Sequence, residues 1–368
     1  MKILHVITTL DVGGAEMHIL SQVRGQSERG HSVRVMYLRG HGSLVGDFLK
    51  AGAERVEMTT APFFDLMAAI RHADLIHSHL LKADMLVAVL ASLCLRRKRL
   101  ISGKHNDEQV MKRPLVSGIH AVLGNLPSLT IVLSDHVGKF VERYGHVRAS
   151  SLRRVYYGID PRPFIEAAEV PIEERNHARA EFGFEPENRV FICVARFAAQ
   201  KAHDVLLKAF AEARQSNPDI RLLLVGDDPF GDGRERAEAL ALQLELGDDV
   251  IFAGIRRDVP VLIGFSDVFV MSSLWEGLGL VFLEAMAASR PVLASGVSAV
   301  PEVVLDGETG LLVPPSDVPA LAAGFLRLAE NPNLCEELGQ AGRKRVHQHF
   351  GLDRMVEETL AIYTELVG

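Results

Sequence analysis

Cysteine is scarce in this chain: Cys94, Cys193 and Cys335 are the only three in 368 residues, far apart and in no Cys-x-x-Cys spacing. An odd, scattered set excludes a disulfide framework and a thiolate zinc site, and it fits a reducing cytosol. Long apolar runs are missing too. Met85 to Leu95, the longest, has eleven residues and includes Ser92, well short of the ~20 a membrane-spanning helix needs. Met1 to Leu10 carries one Lys, and Thr8, Thr9 and Asp11 interrupt it before a signal-peptide core is complete, so it reads as a first strand. There is no short-period repeat and no low-complexity segment. A cytoplasmic protein is the expectation.

Hydrophobic residues make up 48% of the chain, enough for two cores at this length. Short apolar strands alternate with longer helical patterns from end to end. In the amino half the strand candidates are Ile3 to Thr8, Val33 to Leu38, Leu75 to His79, Leu100 to Lys104 and Thr130 to Ser134. The carboxy half repeats the scheme with Val190 to Ala195, Arg221 to Gly226, Val250 to Ala253, Val268 to Ser272, Val292 to Ser295 and Leu311 to Val313. Strands spaced by helices imply parallel sheets covered on both faces, hence two doubly wound α/β domains. The linker is placed in Tyr157-Gly158-Ile159-Asp160-Pro161-Arg162-Pro163. The expected division is 1–160 and 161–351, with a last helix, 352–368, of helical apolar spacing.

Net charge is −7, yet residues 1–160 hold 21 Lys plus Arg against 14 Asp plus Glu, and the remainder 19 against 33. The amino half is therefore basic and also carries 11 of the 15 histidines. A basic half can favour an anionic partner, although solvated lysines and arginines give the same count. Arg96-Arg97-Lys98-Arg99, after Met85 to Leu95, has two readings: a solvated turn behind a buried helix, which is preferred, or an element engaging anionic lipid at a membrane surface.

One stretch concentrates chemistry: Glu276-Gly277-Leu278-Gly279-Leu280-Val281-Phe282-Leu283-Glu284. It follows the apolar run Val268 to Met271 and opens the helical pattern Leu280 to Ala288, so it is a strand-to-helix turn. Glycines let a ligand approach the backbone, and the unpaired first amides of a helix form an anion site. Glu276 lies in the loop, and Glu284 one turn into the helix on the same face. Phosphate-friendly amides flanked by two hydroxyl-accepting carboxylates suit a sugar nucleotide; the bland alternative is a glycine-tolerant loop with two solvated acids. Arg196 ends an apolar strand and Lys201 follows five residues on, where open α/β sheets gather ligands. Arg can grip two phosphate oxygens and Lys acts as a movable point charge.

Taken together, these stretches resemble the retaining glycosyltransferases of family 4, a group with the GT-B fold of two Rossmann-like domains facing a cleft. The Glu276 to Glu284 stretch resembles the family's donor signature, Arg196-x4-Lys201 its donor-phosphate pair, and Gly13-Gly14-Ala15-Glu16 its first glycine turn. Phe252-Ala253-Gly254-Ile255-Arg256 resembles the loop that reads the base. His105 stands where the family has a histidine contacting the transferred sugar or the acceptor, whereas Tyr157 replaces the family's usual Asn. The resemblance implies His105, Arg196, Lys201 and Glu276 as catalytic residues. Donor contacts would come from Gly13, Gly14, Ile255, Gly277, Leu278, Gly279, Leu280, Val281 and Glu284, and the last helix would cross back onto the amino domain.

The expected activity is transfer of a hexose or N-acetylhexosamine from a nucleoside diphosphate sugar, UDP preferred, to a hydroxyl acceptor such as a glycan or lipid-linked glycan. A nucleotide-sugar isomerase or epimerase and a non-catalytic nucleotide-sugar sensor are the alternatives. No cofactor, metal or nucleic acid is expected. There is no Asp-x-Asp triplet, the pattern metal-dependent transferases of another fold use, so fixed cations and a helix start would serve the diphosphate instead. Asp227-Asp228-Pro229 with Asp232 reads as a solvated loop rather than a Mg2+ site. His77 and His79 have a spacing that suits a metal, but no third ligand is identifiable in the sequence and packing is preferred.

Overall fold

The computed structural model describes residues 1–226, 228 and 231–368. They form two compact units, one of Met1–Gly158 with Leu352–Gly368 and one of Ile159–Gly351. The amino unit carries seven strands: β1 (Lys2–Ile7), β2 (Ser32–Tyr37), β3 (Arg55–Met58), β4 (Leu75–His79), β5 (Leu100–Lys104), β6 (Leu129–Val132) and β7 (Leu152–Arg154). All pair in parallel, in the order β3-β2-β1-β4-β5-β6-β7. The carboxy unit carries β8 (Arg189–Val194), β9 (Ile220–Val225), β10 (Val250–Gly254), β11 (Val268–Met271), β12 (Val292–Ser295) and β13 (Gly310–Val313), also parallel, in the order β10-β9-β8-β11-β12-β13.

The eleven expected strands are present, three with the expected bounds and the others with ends shifted by one or two residues, and β3 and β7 are additional. Both are short sheet-edge strands with no fully buried residue, so they lack the apolar run that marks the others. The buried strands are apolar on both faces because helices cover both faces of a parallel sheet.

In the amino unit, Leu4, Val6, Ile76 and Leu100 pack against Ala83, Val87 and Leu90 of the helix Leu81–Leu93. On the opposite face Ile3, Leu75, Ile101 and Leu129 pack against Met355, Val356 and Tyr363 of the last helix, Leu352–Val367. Gly25 sets how close that helix comes to the first helix, Gly14–Glu28: a Cβ there would stand 2.5 Å from Val356 Cγ2. Arg96 bonds to the Ala73 carbonyl, and Arg99 donates to Val367 O at 3.2 Å, leaving Arg97 and Lys98 as the exposed members of the basic run. No helix among the described residues is long and apolar enough to cross a membrane.

Each sheet reverses its strand order once, between β1 and β4 and between β8 and β11. Loops leaving the two strands at such a point diverge and open a crevice at their carboxyl ends. In the carboxy unit the amino ends are locked differently. Asp267, just before β11, pairs with Arg175 at 2.6 Å, Arg179 at 2.8 Å and Arg189 at 3.4 Å, and accepts from the Val190 amide at 2.8 Å. Removing one partner of a buried charge network leaves the others unpaired. Asp267→Ala is therefore expected to cost ~3–5 kcal/mol, measured by urea denaturation; a loss under ~1 kcal/mol, typical of exposed pairs, would show the network to be superficial.

Candidate functional site

The carboxyl ends of β8 and β11 lie side by side where the carboxy sheet reverses. Arg196 follows β8 and is exposed, its side chain making no hydrogen bond or ion pair among the described residues. A single 3-10 turn, Ala199–Lys201, then brings Lys201 inward. The loop after β11 runs from Ser272 to Gly279 and opens the helix Leu280–Ala287.

Five hydrogen bonds stitch these loops together. The Leu274 amide donates to Gln200 O at 2.8 Å, and Gln200 Nε2 donates to Trp275 O at 2.6 Å. Ser272 Oγ donates to the carbonyls of Lys201 and Ala202, 2.9 Å each. Lys201 Nζ donates to Glu276 Oε1, which also accepts from Ser273 Oγ at 2.7 Å. Glu276 is 5% exposed, so its charge is held by two donors rather than by water. An ammonium has three N–H groups. One serves Glu276, a second faces Met271 Sδ at 3.8 Å, and one remains. Lys201 and Glu276, expected to contact different parts of a ligand, thus meet in one ion pair.

Gly279 is the N-cap of that helix, with φ +83°, and a Cβ there would lie 2.5 Å from Phe282 Cδ2. Left-handed backbone and a ring in contact both require glycine. No side chain caps the helix, so the first amides, Leu280 and Val281, meet whatever lies beyond it. Gly277 and Leu278 are buried behind the turn. Glu284 is partly buried on the helix, and burial pushes its carboxyl up to about 7.

Loops from the neighbouring strands extend the site. The Gly226 amide donates to Gly254 O at 2.9 Å, tying the ends of β9 and β10, and a Cβ on Gly226 would lie 1.9 Å from Ala195 O. Ile255, next to Gly254, is 69% exposed. In the acidic turn, Asp227 and Pro229 lie outside the described residues. Asp228 accepts from the amides of Gly231 and Arg234 at 3.0 Å each, and Asp232 pairs with Arg236 at 2.7 Å, so both serve as local turn and helix-start groups. A cavity of about 790 Å³ opens by Arg189 and Asp267 at the amino ends of the strands, away from these loops.

In the amino unit, Gly13 caps the first helix with extended backbone and Gly14 begins it. A Cβ on Gly13 would sit 2.6 Å from Glu16 Oε2, while one on Gly14 would meet nothing within 4 Å. Gly13 thus makes room for the protein's own carboxylate at this helix start. His105 follows β5, and both its ring nitrogens are engaged: Nε2 with His79 Nδ1 at 2.9 Å, Nδ1 with the Tyr157 hydroxyl. Tyr157 also stacks on His18, ring centroids 3.9 Å apart. Burial beside Lys104 lowers His105 to about 3. Sequence reasoning missed His5, which pairs in register with His77 across β1 and β4; only the sheet pairing brings them together.

Two family models match the chain: Glycosyltransferase Family 4 over residues 12–162 and Glycosyl transferases group 1 over residues 174–345. The chain belongs to the family 4, group 1 glycosyltransferases and has their GT-B fold. It is 27% identical over 323 residues to the N-acetyl-alpha-D-glucosaminyl L-malate synthase of Bacillus anthracis, covering 83% of this chain and 80% of that one. It is 34% identical over 194 residues to EpsD of Bacillus subtilis (strain 168), covering 53% of this chain and 50% of that protein, so the match spans half of EpsD. Among solved structures, HepE of Anabaena in complex with UDP and glucose superposes with a TM-score of 0.87 at 22% identity, covering 99% of each chain.

The raised Glu284 carboxyl has a pH consequence. The folded protein keeps a proton between about 4.5 and 7 that the unfolded chain releases, so this group's contribution is full below 4.5 and is lost as pH rises through 7. Melting temperatures of Glu284→Gln and the parent should therefore diverge in favour of the variant from pH 5 to pH 8; a constant difference would place the Glu284 carboxyl in water.

Proposed function

We propose that this chain is a retaining glycosyltransferase that moves a hexose or N-acetylhexosamine from a nucleoside diphosphate sugar, UDP preferred, to a hydroxyl acceptor. The observation that carries the reading is the unit formed by Lys201, Glu276 and the uncapped helix start at Gly279. Its support from relatives is that HepE was solved with UDP and glucose and with UDP-glucose. The Bacillus anthracis relative is named for an N-acetyl-alpha-D-glucosaminyl group joined to L-malate. A mycobacterial relative is named as GDP-mannose-dependent, so donor identity is tested rather than inherited.

In this reading the Leu280 and Val281 amides, Arg196 and the third N–H of Lys201 hold the diphosphate. Glu276 Oε2 takes sugar hydroxyls, because Oε1 already has two donors. Glu284 takes the ribose hydroxyls and Ile255 covers the base. The amino unit holds the acceptor, with His105 presenting a ring edge rather than a free nitrogen.

The bond from the sugar's anomeric carbon to the β-phosphate oxygen breaks, and a bond to the acceptor oxygen forms on the same face. The acceptor's proton passes to the departing phosphate, giving glycoside and nucleoside diphosphate. Negative charge grows on that phosphate, so fixed cations and amides aimed at it lower the barrier without reorganising, and holding both reactants supplies the rest. The cations that serve the phosphate are side chains, so added Mg2+ or Mn2+ leaves turnover unchanged.

Removing one fixed charge stabiliser typically costs ~10²–10³ in kcat. Lys201→Ala should lose about that much in transfer from UDP-sugar, with unchanged far-ultraviolet circular dichroism. Near-normal turnover would remove Lys201 from the mechanism.

A further inference from the structure

Five histidines of the amino unit cluster together: His5, His18, His77 and His79 are buried, with partly exposed His105 over them. His5 on β1 and His77 on β4 are in-register partners, and His79 is two residues beyond His77 on the same strand, so all three side chains leave the same face of the sheet. One ring nitrogen from each lies within 4.8 Å of the others. These strands flank the point where the amino sheet reverses its order.

The outer nitrogen of each ring is already held. Gln26 Nε2 donates to Gln22 Oε1 at 3.3 Å and to the Tyr363 hydroxyl at 3.5 Å, so its Oε1 accepts from His5 Nε2 at 2.9 Å. Neutral His5 then has a lone pair on Nδ1. His79 Nδ1 meets His105 Nε2 at 2.9 Å, and His105 Nδ1 meets Tyr157; the inner nitrogen, His79 Nε2, donates to His5 Nδ1 at 2.9 Å, and binding an ion would move that ring proton to Nδ1. His77 Nδ1 meets the Tyr363 hydroxyl at 2.6 Å, and His77 Nε2 is buried with no partner among the described residues.

We propose that His5 Nδ1, His77 Nε2 and His79 Nε2 form a binding site for one borderline divalent transition-metal ion of the Zn2+ or Co2+ kind. Three imidazoles with a fourth position for water is an established zinc arrangement, and each ligand ring hydrogen-bonded at its far nitrogen is the outer shell such sites use. Nitrogens ~2.1 Å from a common ion lie at most ~4.2 Å apart, close to the 4.8 Å within which one nitrogen of each ring already lies. Gly103 keeps the room: a Cβ there would stand 2.9 Å from His77 Nε2 and 2.8 Å from His79 Nδ1. The ion would staple β1 to β4 and, through His79, orient His105. It is separate from the diphosphate loops and takes no part in transfer.

The test uses the full chain without a polyhistidine tag, stripped with a chelator and titrated with Co2+. The expected result is one equivalent bound, with the visible absorption of a tetrahedral nitrogen-ligated ion. That absorption should be lost in His77→Gln and kept in His72→Gln, a surface histidine. Absence of the band in the parent, or its persistence in both His77→Gln and His79→Gln, would overturn the site. Should those variants not fold, X-ray absorption of the Zn2+-loaded parent decides: three imidazole ligands are expected, and fewer would refute the assignment.

Discussion

The ion pair between Lys201 and Glu276 is the contact that fixes the switch-point loops of the carboxy unit. It joins the loop after β8 to the loop after β11, which are neighbours only because the strand order reverses there. The Ser272 and Gln200 bonds hold the two backbones so that the pair forms without ordering long side chains from solvent. A pair this well buried repays desolvation only with further hydrogen bonds to its charged groups, and Ser273 gives Glu276 Oε1 a second donor. Preorganisation follows: the cation, the carboxylate and the Gly279 helix start are fixed before a ligand arrives.

Both units place polar groups at a switch point but treat them differently. In the carboxy unit the charged groups sit on loops beyond the strand ends, Arg196 exposed and Lys201 turned inward onto buried Glu276. In the amino unit the strands themselves carry imidazoles inward, His5 on β1 and His77 and His79 on β4, beneath Gln26 and Tyr363 of the two covering helices. Such polar side chains in a core are tolerable only as a connected network. The chain from Gln26 through His5 and His79 to His105 and Tyr157 supplies one.

Much of this was legible in the sequence, for physical reasons. Buried parallel strands are apolar on both faces, so eleven of the thirteen announced themselves, while β3 and β7 lie at sheet edges and carry no such run. Gly279 and its neighbours were legible because a left-handed cap and a helix start leave a local signature. What local pattern cannot reveal is contact across the fold. Lys201 and Glu276 are 75 residues apart, and nothing in either segment says that they touch. His5 completes the trio with His77 and His79 only through the β1–β4 register, and Tyr157, a departure from the family's usual residue, acquires meaning only beside His105 and His18.

The central claim is that Lys201 and Glu276 act as one unit at the helix start. A double-mutant cycle on transfer rate from a nucleoside diphosphate sugar, comparing Lys201→Ala, Glu276→Gln and the double variant, tests it most directly. Residues that act as a unit are strongly non-additive, so the double variant should be about as impaired as the worse single one. A loss equal to the product of the two single losses would mean that the residues work independently and would contradict the account.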